Sequence, residues 1–157
     1  MEVTARVAVE ADVPALVPFV AEGIAAVEGE RGAELWLLEH APRAPLDAAL
    51  HDLGSNPATE VIAGCVDGVP VGVLVIERRD LVDGRSIARI TLVFVHPRAR
   101  EIGVGEALIG AASGWAEAAG CIGIDGLALP GDRRTKNLYE RSGMTAREIT
   151  VHRELRS

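Results

Sequence analysis

One stretch in the second half of the chain joins a strand, a turn and a glycine-bearing loop to the start of a helix. It runs from Leu92 to Gly105 and reads LVFVHPRAREIGVG. The first N–H groups of a helix have no partner inside the helix, and the macrodipole places positive potential beside them. Gly103 and Gly105 would let a ligand approach the backbone closely. The stretch therefore predicts an anion site, and a pyrophosphate is the natural ligand for it.

Two other interpretations of the glycines stay open at this point. Gly103 and Gly105 could simply serve a tight turn between the strand and the helix. They could also belong to a dinucleotide-binding motif, because Asp125 ends the next strand, where an acid that binds ribose would be sought. However, Leu108 stands where the third glycine of that motif would be, and the loop after Val95 is longer than a tight dinucleotide turn.

Two motifs in this half of the chain resemble those of one protein family. The loop from Arg100 to Gly105 is similar to the R/Q-x-x-G-x-G/A loop of the GNAT superfamily of acyl-CoA-dependent N-acyltransferases. As in that family, a strand ending in V-x-P precedes the loop, here at Val95-His96-Pro97. The segment from Leu138 to Met144 resembles the family's closing L-Y-E-x-x-G-F, with Met144 where Phe is usual. The order of the predicted elements agrees with the family from about Val3 to Leu155.

The resemblance implies a site for coenzyme A, with acetyl-CoA as the acyl donor. Backbone groups of Val93, Phe94 and Val95 would pair with the pantetheine arm. The pyrophosphate would be bound by the N–H groups of the loop residues Arg100, Glu101, Ile102, Gly103, Val104, Gly105 and Glu106. The side chain of Arg100 would add charge-assisted contacts. Asn137 is a further candidate for a cofactor contact.

Tyr139 is the catalytic residue that the resemblance implies. It matches the tyrosine that in many family members protonates the departing thiolate of coenzyme A. A phenol is neutral at pH 7 and can donate a proton to sulfur. Tyr139 is the only tyrosine of the chain. The competing interpretation is an aromatic side chain on a helix that packs against the sheet.

The strand ahead of the V-x-P turn lacks an acid that many relatives have there. In those relatives a glutamate deprotonates the acceptor amine through water, whereas the strand here reads ARITLVF from Ala88 to Phe94. The acids left as candidates lie elsewhere in the chain and are Asp125, Glu77, Glu28, Glu30 and Glu34. The missing acid keeps open an alternative function, an acyl-CoA-binding regulatory module without catalysis. A nucleotide-binding oxidoreductase is the third hypothesis.

The cysteines and histidines indicate neither a covalent intermediate nor a metal. Cys65 and Cys121 have no CxxC or Cys/His spacing, and we interpret both as reduced structural thiols. Since neither has an identifiable base, direct attack of the amine on the thioester is favoured over an acyl-enzyme. His40, His51 and His152 lack partners at metal-ligand spacing, so no metal site is predicted.

The elements that must position these residues form one predicted α/β (α+β) domain over residues 1–157. Val3 to Val9 alternates as a strand, and Asp12 is expected to cap the following helix. Asp67-Gly68 indicates a hairpin, and later strands are expected over Cys121 to Leu129 and Thr145 to Leu155. The whole order predicts a GNAT-like mixed, mostly antiparallel sheet of about six to seven strands with helices on both faces.

The composition and net charge of the chain limit the kinds of partner that it is expected to bind. Hydrophobic residues make up 48% of the chain and charged residues 25%, as in an ordinary globular domain. The 23 acidic and 16 basic residues give a net charge of −7, the opposite of a nucleic-acid binder, so no nucleic-acid partner is expected. No apolar run approaches membrane-spanning length, and the N-terminus lacks signal-peptide regions. We expect a cytoplasmic protein with no membrane partner.

Together these patterns predict an acyl-CoA-dependent N-acyltransferase. Its acceptor would be a primary amine on a small molecule or peptide, attacked in a ternary complex. Acceptor specificity is expected from the segment between Gly23 and Asn56 and from the C-terminal strand, because loops are where recognition varies on a fixed scaffold. The resemblance is also compatible with a homodimer.

Overall fold

The computed structural model describes residues 1–156, which contain one five-stranded sheet of order β1-β2-β3-β4-β5. The strands are β1 (Val3–Val7), β2 (Thr59–Val66), β3 (Val69–Asp80), β4 (Ser86–Val95) and β5 (Ile124–Gly126). The helices are α1 (Val13–Val27), α2 (Ala33–Glu39), α3 (Leu46–Ser55), α4 (Val104–Ala118) and α5 (Arg133–Arg141). Short 3₁₀ turns at Glu10–Asp12 and Pro97–Ala99 precede α1 and the loop before α4.

The sheet is mixed and mostly antiparallel, as the sequence predicted. β1 to β4 pair antiparallel in chain order, and β5 pairs parallel with β4 after the α4 crossover. The β2–β3 hairpin turns at Asp67 and Gly68, whose φ angles are 49° and 79°. Positive φ at both turn residues is what an Asp-Gly hairpin supplies.

Helices cover both faces of the sheet, which confirms that expectation. On one face α1 and α3 bury Leu16, Val20 and Leu50 against apolar residues of β2 to β4. On the other face α4 buries Leu108 against the opposite side of the same strands, and Tyr139 of α5 joins this cluster. Burying two apolar faces of one sheet provides the main driving force for this fold.

Two expected strands differ from the structure. β5 extends only from Ile124 to Gly126 rather than from Cys121 to Leu129. No strand forms over Thr145 to Leu155, where Ile149 and Val151 are 82% and 89% exposed. Alternation stabilises a strand only where a neighbouring strand and a buried face are available, and this segment has neither within residues 1–156. The described sheet therefore has five strands rather than six to seven.

Asp12 does not cap α1 through its side chain as expected. Its carboxylate instead accepts hydrogen bonds from the two terminal nitrogens of Arg6, at 2.6 and 2.9 Å, and from the N–H of Val9 at 2.8 Å. These bonds hold the pKa of Asp12 below its usual value, with the Arg6 contact as the largest cause. The pair joins β1 to the turn that begins α1.

Replacing Gly64 of β2 by alanine should lower the free energy of unfolding by about 1–3 kcal/mol, the usual cost of overpacking. The added Cβ would lie 2.8 Å from Val104 Cγ1 and 3.0 Å from Leu108 Cγ, between β2 and α4. Urea denaturation measures the change. The control is Gly110→Ala in α4, where nothing lies within 4 Å of the added Cβ. That change should stabilise by up to about 1 kcal/mol, and equal losses in both variants would contradict the described packing.

Candidate active site

The edge strand β5 pairs with only part of the length of β4. Their pairing ends where Ile90 lies opposite Gly126, and the N–H of Leu127 donates to the Ile90 carbonyl at 3.0 Å. At the same point β4 contains a bulge, because Thr91 is the residue skipped between two pairs with β3. A bulge bends its strand and ends regular pairing. Beyond it, no strand of the described residues pairs with the outer edge of β4.

This open edge contains the three residues that the resemblance assigned to pantetheine. Val93, Phe94 and Val95 pair with β3 on one side and have no strand on the other. One acceptor on this stretch is already used, since Arg100 Nε donates to the Val95 carbonyl at 2.9 Å. The guanidinium of Arg100 also lies 5.3 Å from the centre of the Phe94 ring. Arg100 thus packs along the end of β4.

The glycine loop leaves the first N–H groups of α4 without partners in the helix. Gly103 is the N-cap residue, and no side chain caps the helix. The first helical bond runs from the Ala107 N–H to the Gly103 carbonyl at 3.0 Å. The N–H groups of Val104, Gly105 and Glu106 therefore have no acceptor in the helix. These three are among the loop donors that the sequence predicted.

Each glycine of the loop also has a structural reason. Gly103 has φ of 97° and the preceding Glu101 has φ of 67°, so the loop passes twice through the left-handed region. A Cβ on Gly105 would lie 2.7 Å from Leu138 Cδ1, so glycine here lets α4 and α5 approach. The tight-turn interpretation is therefore correct in part, and it leaves the same N–H groups open.

Positive charge gathers near this helix start. Burial lowers the pKa of Arg100, and the positive charge of Arg134 lowers it further, while Glu22 and Asp132 act in the opposite direction. Arg134 has no ion pair within residues 1–156. One of the two acids of the loop is neutralised, because Glu106 accepts a bond from Arg141 Nε at 2.9 Å, which lowers the pKa of Glu106. The uncapped helix start and the positive charges of Arg100 and Arg134 fit a pyrophosphate.

Tyr139 lies where β5 leaves β4. Its side chain is 7% exposed, and its hydroxyl donates to the Leu127 carbonyl at 2.9 Å. The ring packs directly on Gly126, where a Cβ would overlap it. Burial raises the pKa of Tyr139 well above its ordinary value, so the phenol is neutral throughout the physiological range. Tyr139 is thus a packed aromatic, and its hydroxyl lies at the point where the strands part.

The other predicted site residues lie at the surface. Glu101, Ile102 and Asn137 are exposed. Asn137 makes no side-chain hydrogen bond in the described part of the chain. Its role as a cofactor contact stays a prediction.

Two of the acids considered as bases are paired with arginines. Asp125 accepts a bond from Arg147 Nε at 2.7 Å. Glu77 accepts bonds from Nε and one terminal nitrogen of Arg89, at 3.1 and 3.0 Å. The carboxylate of Glu30 lies against Gly131.

Sequence reasoning missed a cavity of about 320 Å³ beside the bulge. Thr91, Glu77 and His40 are among its lining residues. The segment after α2 that contributes His40 has no motif, so only the packing reveals it. The large aromatic residue Trp36 was a partial indication that this segment packs on the sheet. Its indole Nε1 donates to the Thr91 carbonyl at 3.2 Å and holds α2 over β4.

Within residues 1–156, no helix combines the length and hydrophobicity needed to cross a membrane. The same residues contain no grouping of His, Cys, Asp and Glu that could hold a metal ion.

Known structures share this fold along the whole chain. The ribosomal-protein-alanine N-acetyltransferase of Brucella melitensis biovar Abortus 2308 superposes with a TM-score of 0.72 at 19% identity, covering 98% of this chain and 99% of that one. AAC(6')-Iy, solved with the bisubstrate analog CoA-S-monomethyl-acetylneamine, gives 0.75 at 19% identity and covers 100% of both chains. An aminoglycoside acetyltransferase from an uncultured soil metagenomic sample, solved with sisomicin, gives 0.74 at 18% identity, covering 99% and 96%.

Among curated proteins, no sequence matches the chain significantly. A family model does match: that of the acetyltransferase (GNAT) family covers residues 29–144, well over half of the chain. The match includes both motifs, the bulged strand and α2. The chain therefore belongs to the GNAT acetyltransferase family and is an acyl-CoA-dependent N-acyltransferase.

Proposed function

We propose that this protein is a single-domain N-acetyltransferase that moves the acetyl group of acetyl-CoA to a primary amine by direct attack in a ternary complex. The observation that carries this proposal is the gap between β4 and β5. It has an uncapped helix start with Arg100 and Arg134 at one end. It has the buried hydroxyl of Tyr139 at the other.

The residues present fit coenzyme A. The N–H groups from Arg100 to Glu106 would hold the pyrophosphate, and the open edge of Val93 to Val95 would pair with the pantetheine amides. Bound acetyl-CoA supplies a thioester, whose carbonyl carbon is open to attack by an amine. Pairing along β4 would direct the thioester toward the bulge at Thr91, because the strand edge is open only from that residue onward.

Tyr139 acts as the general acid in this proposal. Its hydroxyl hydrogen is directed at the Leu127 carbonyl in the structure, so rotation of the O–H bond is needed before it donates to sulfur. Because burial keeps the phenol neutral, the proton is available at any physiological pH.

The cysteines support direct attack rather than an acyl-enzyme. Cys65 is 1% exposed beneath the helix layer of α1 and α3. Burial raises the pKa of both Cys65 and Cys121, so both remain thiols near neutral pH. A thiol is a far weaker nucleophile than a thiolate.

The acceptor is a small-molecule or peptide amine. The named relatives act on a ribosomal-protein alanine and on aminoglycosides, but the low identity shows only a shared fold. The net charge of −7 favours encounter with a cationic amine. A homodimer stays a prediction.

Acetyl-CoA should stabilise the protein by about 2.7 kcal/mol when present at a hundred times its dissociation constant. Thermal denaturation with acetyl-CoA, coenzyme A and NAD measures the shift. Stabilisation by NAD alone would support the oxidoreductase hypothesis, and no shift with any acyl-CoA would reject the proposal. Stabilisation without thiol release on any amine would favour the regulatory module.

Arg134→Ala should weaken acetyl-CoA binding about tenfold, because a charge-assisted contact to phosphate is worth roughly 1.5–3 kcal/mol and some of it is screened. Isothermal titration gives the dissociation constants. Arg153→Ala is the matched control, since Arg153 lies exposed in the C-terminal segment with no ion pair among the described residues. Equal affinities in both variants would place the pyrophosphate elsewhere.

Tyr139→Phe should lower turnover by about two to four orders of magnitude if Tyr139 is the acid. It should leave acetyl-CoA affinity unchanged and cost about 1 kcal/mol of stability, because the Leu127 carbonyl loses its donor. Steady-state thiol release and thermal denaturation measure both effects. Tyr139→Ala serves for comparison and should cost about 3–5 kcal/mol by removing a buried ring. Full turnover in the phenylalanine variant would restrict Tyr139 to packing.

A further inference from the structure

The cavity beside the β4 bulge is bounded by three layers of the fold. Its walls are formed by residues of α3, by Glu39 at the end of α2 and by residues 40–42 that follow it. Its floor is formed by strand residues, which are Thr59, Val75, Ile76, Glu77 and Thr91. Its volume of about 320 Å³ suits one side chain or one sugar-sized group of a larger ligand.

The position of the cavity follows from Thr91. This residue is 6% exposed and lies at the bulge, where the open edge of β4 begins. Under the proposed function the thioester lies at that edge. A group bound in the cavity would then approach the thioester beside Thr91. The cavity and the proposed cofactor edge therefore share Thr91.

The lining is acidic. Glu39, Asp52 and Glu77 all line the cavity. Glu39 and Asp52 have no ion pair within residues 1–156. Only Oε1 of Glu77 accepts hydrogen bonds from Arg89, and the other carboxylate oxygen has no hydrogen bond among the described residues. Three carboxylates around one cavity attract a cation, and a protonated amine is the cation that the reaction requires.

His40 is the group in this cavity that is best suited to accept a proton. Its ring is partly buried and has no hydrogen-bond partner in the described part of the chain. Glu77, the other basic group beside Thr91, is committed to the guanidinium of Arg89 at 3.0 Å. A free imidazole in a cleft is the commonest general base in enzymes.

We propose that this cavity binds the acceptor as a cationic primary amine and that His40 is its general base, in place of the glutamate missing from β4. This inference rests on the proposed function. The carboxylates hold the ammonium group, and His40 takes a proton from it so that a free lone pair faces the thioester carbon.

The charges around His40 support its role. Burial lowers the pKa of His40 below 6.5, and the nearby cations Arg89 and Arg79 lower it further. Glu39 and Glu77 act in the opposite direction but do not cancel the shift. Asp52 also lines the cavity, from α3. The imidazole is therefore neutral at pH 7 and able to accept a proton.

The proposed acyl transfer accounts for every proton. The ammonium gives one proton to His40, which releases it to solvent. The amine nitrogen then forms a bond to the carbonyl carbon, and the carbon–sulfur bond breaks as the tetrahedral intermediate collapses. Tyr139 protonates the leaving sulfur, and the second proton lost by the nitrogen restores Tyr139 through water. The products are the amide and coenzyme A, with one proton released.

The test compares His40→Gln with His51→Gln on three probe amines, spermidine, sisomicin and a lysine-containing peptide. His51 is the matched control because it lies on α3 outside this cavity and pairs with Glu10 at 2.8 Å. With the best probe, His40→Gln should lower kcat about 10²- to 10⁴-fold. The acetyl-CoA dissociation constant should not change, and His51→Gln should match the wild type.

A pH profile separates a base from a merely structural residue. In the wild type, kcat/KM should fall as pH drops below the pKa of His40, because the protonated ring can no longer accept a proton. His40→Gln should lose that acidic limb. Added imidazole should restore part of the activity of His40→Ala but none of that of a variant damaged in folding.

A separate measurement tests the role of the acidic residues that line the cavity. Asp52→Asn should raise KM for spermidine with little change in kcat, since this carboxylate binds the amine without reacting. Loss of kcat below threefold in His40→Gln, with its acidic limb intact, would overturn the inference while leaving the transferase intact. A wild type that binds acetyl-CoA yet releases no thiol with any of the three amines would overturn both proposals.

Discussion

The site depends on the end of pairing between β4 and β5. Ile90 and Gly126 form the last pair, and Thr91 is pushed out of register immediately afterwards. A continuous ladder would use every N–H and C=O of β4 internally and leave no edge for a ligand. Beyond the bulge, β4 therefore has an open outer edge, which we propose as the cofactor-binding edge. The bulge also directs Thr91 into the helix-covered face, where the cavity lies.

One aromatic residue keeps the two strands apart. The Tyr139 ring lies on Gly126, and its hydroxyl binds the carbonyl of the next residue, Leu127. A side chain at position 126 would push the ring away, so Tyr139 can pack here only because residue 126 is glycine. The packing role and the proposed acid role of Tyr139 are therefore not competing explanations. The hydroxyl bonds to the backbone at the point where the strands separate, and in our proposal the sulfur of coenzyme A lies there.

Local patterns predicted most of this arrangement. The hairpin at Asp67-Gly68, the α4 crossover and the glycine loop are short-range features, and each formed where its residues indicated. The C-terminal strand did not form, because Ile149 and Val151 alternate correctly but meet no partner strand. The cavity could not be predicted either, since it depends on α2 and α3 lying over β4, and contacts so distant in sequence leave no local pattern. His40 was therefore considered only as a metal ligand.

An ion pair joins β3 and β4 beside the cavity. Arg89 of β4 pairs with Glu77 of the neighbouring strand β3, and the two side chains are 20% and 30% exposed. A cross-strand pair of opposite charges stabilises the sheet locally. It also ties the Glu77 carboxylate, which lines the cavity, to a cation. His40 lines the same cavity and comes from outside the sheet. In our proposal the open edge of β4 binds the cofactor, and His40, in the segment after α2, supplies the base for the acceptor.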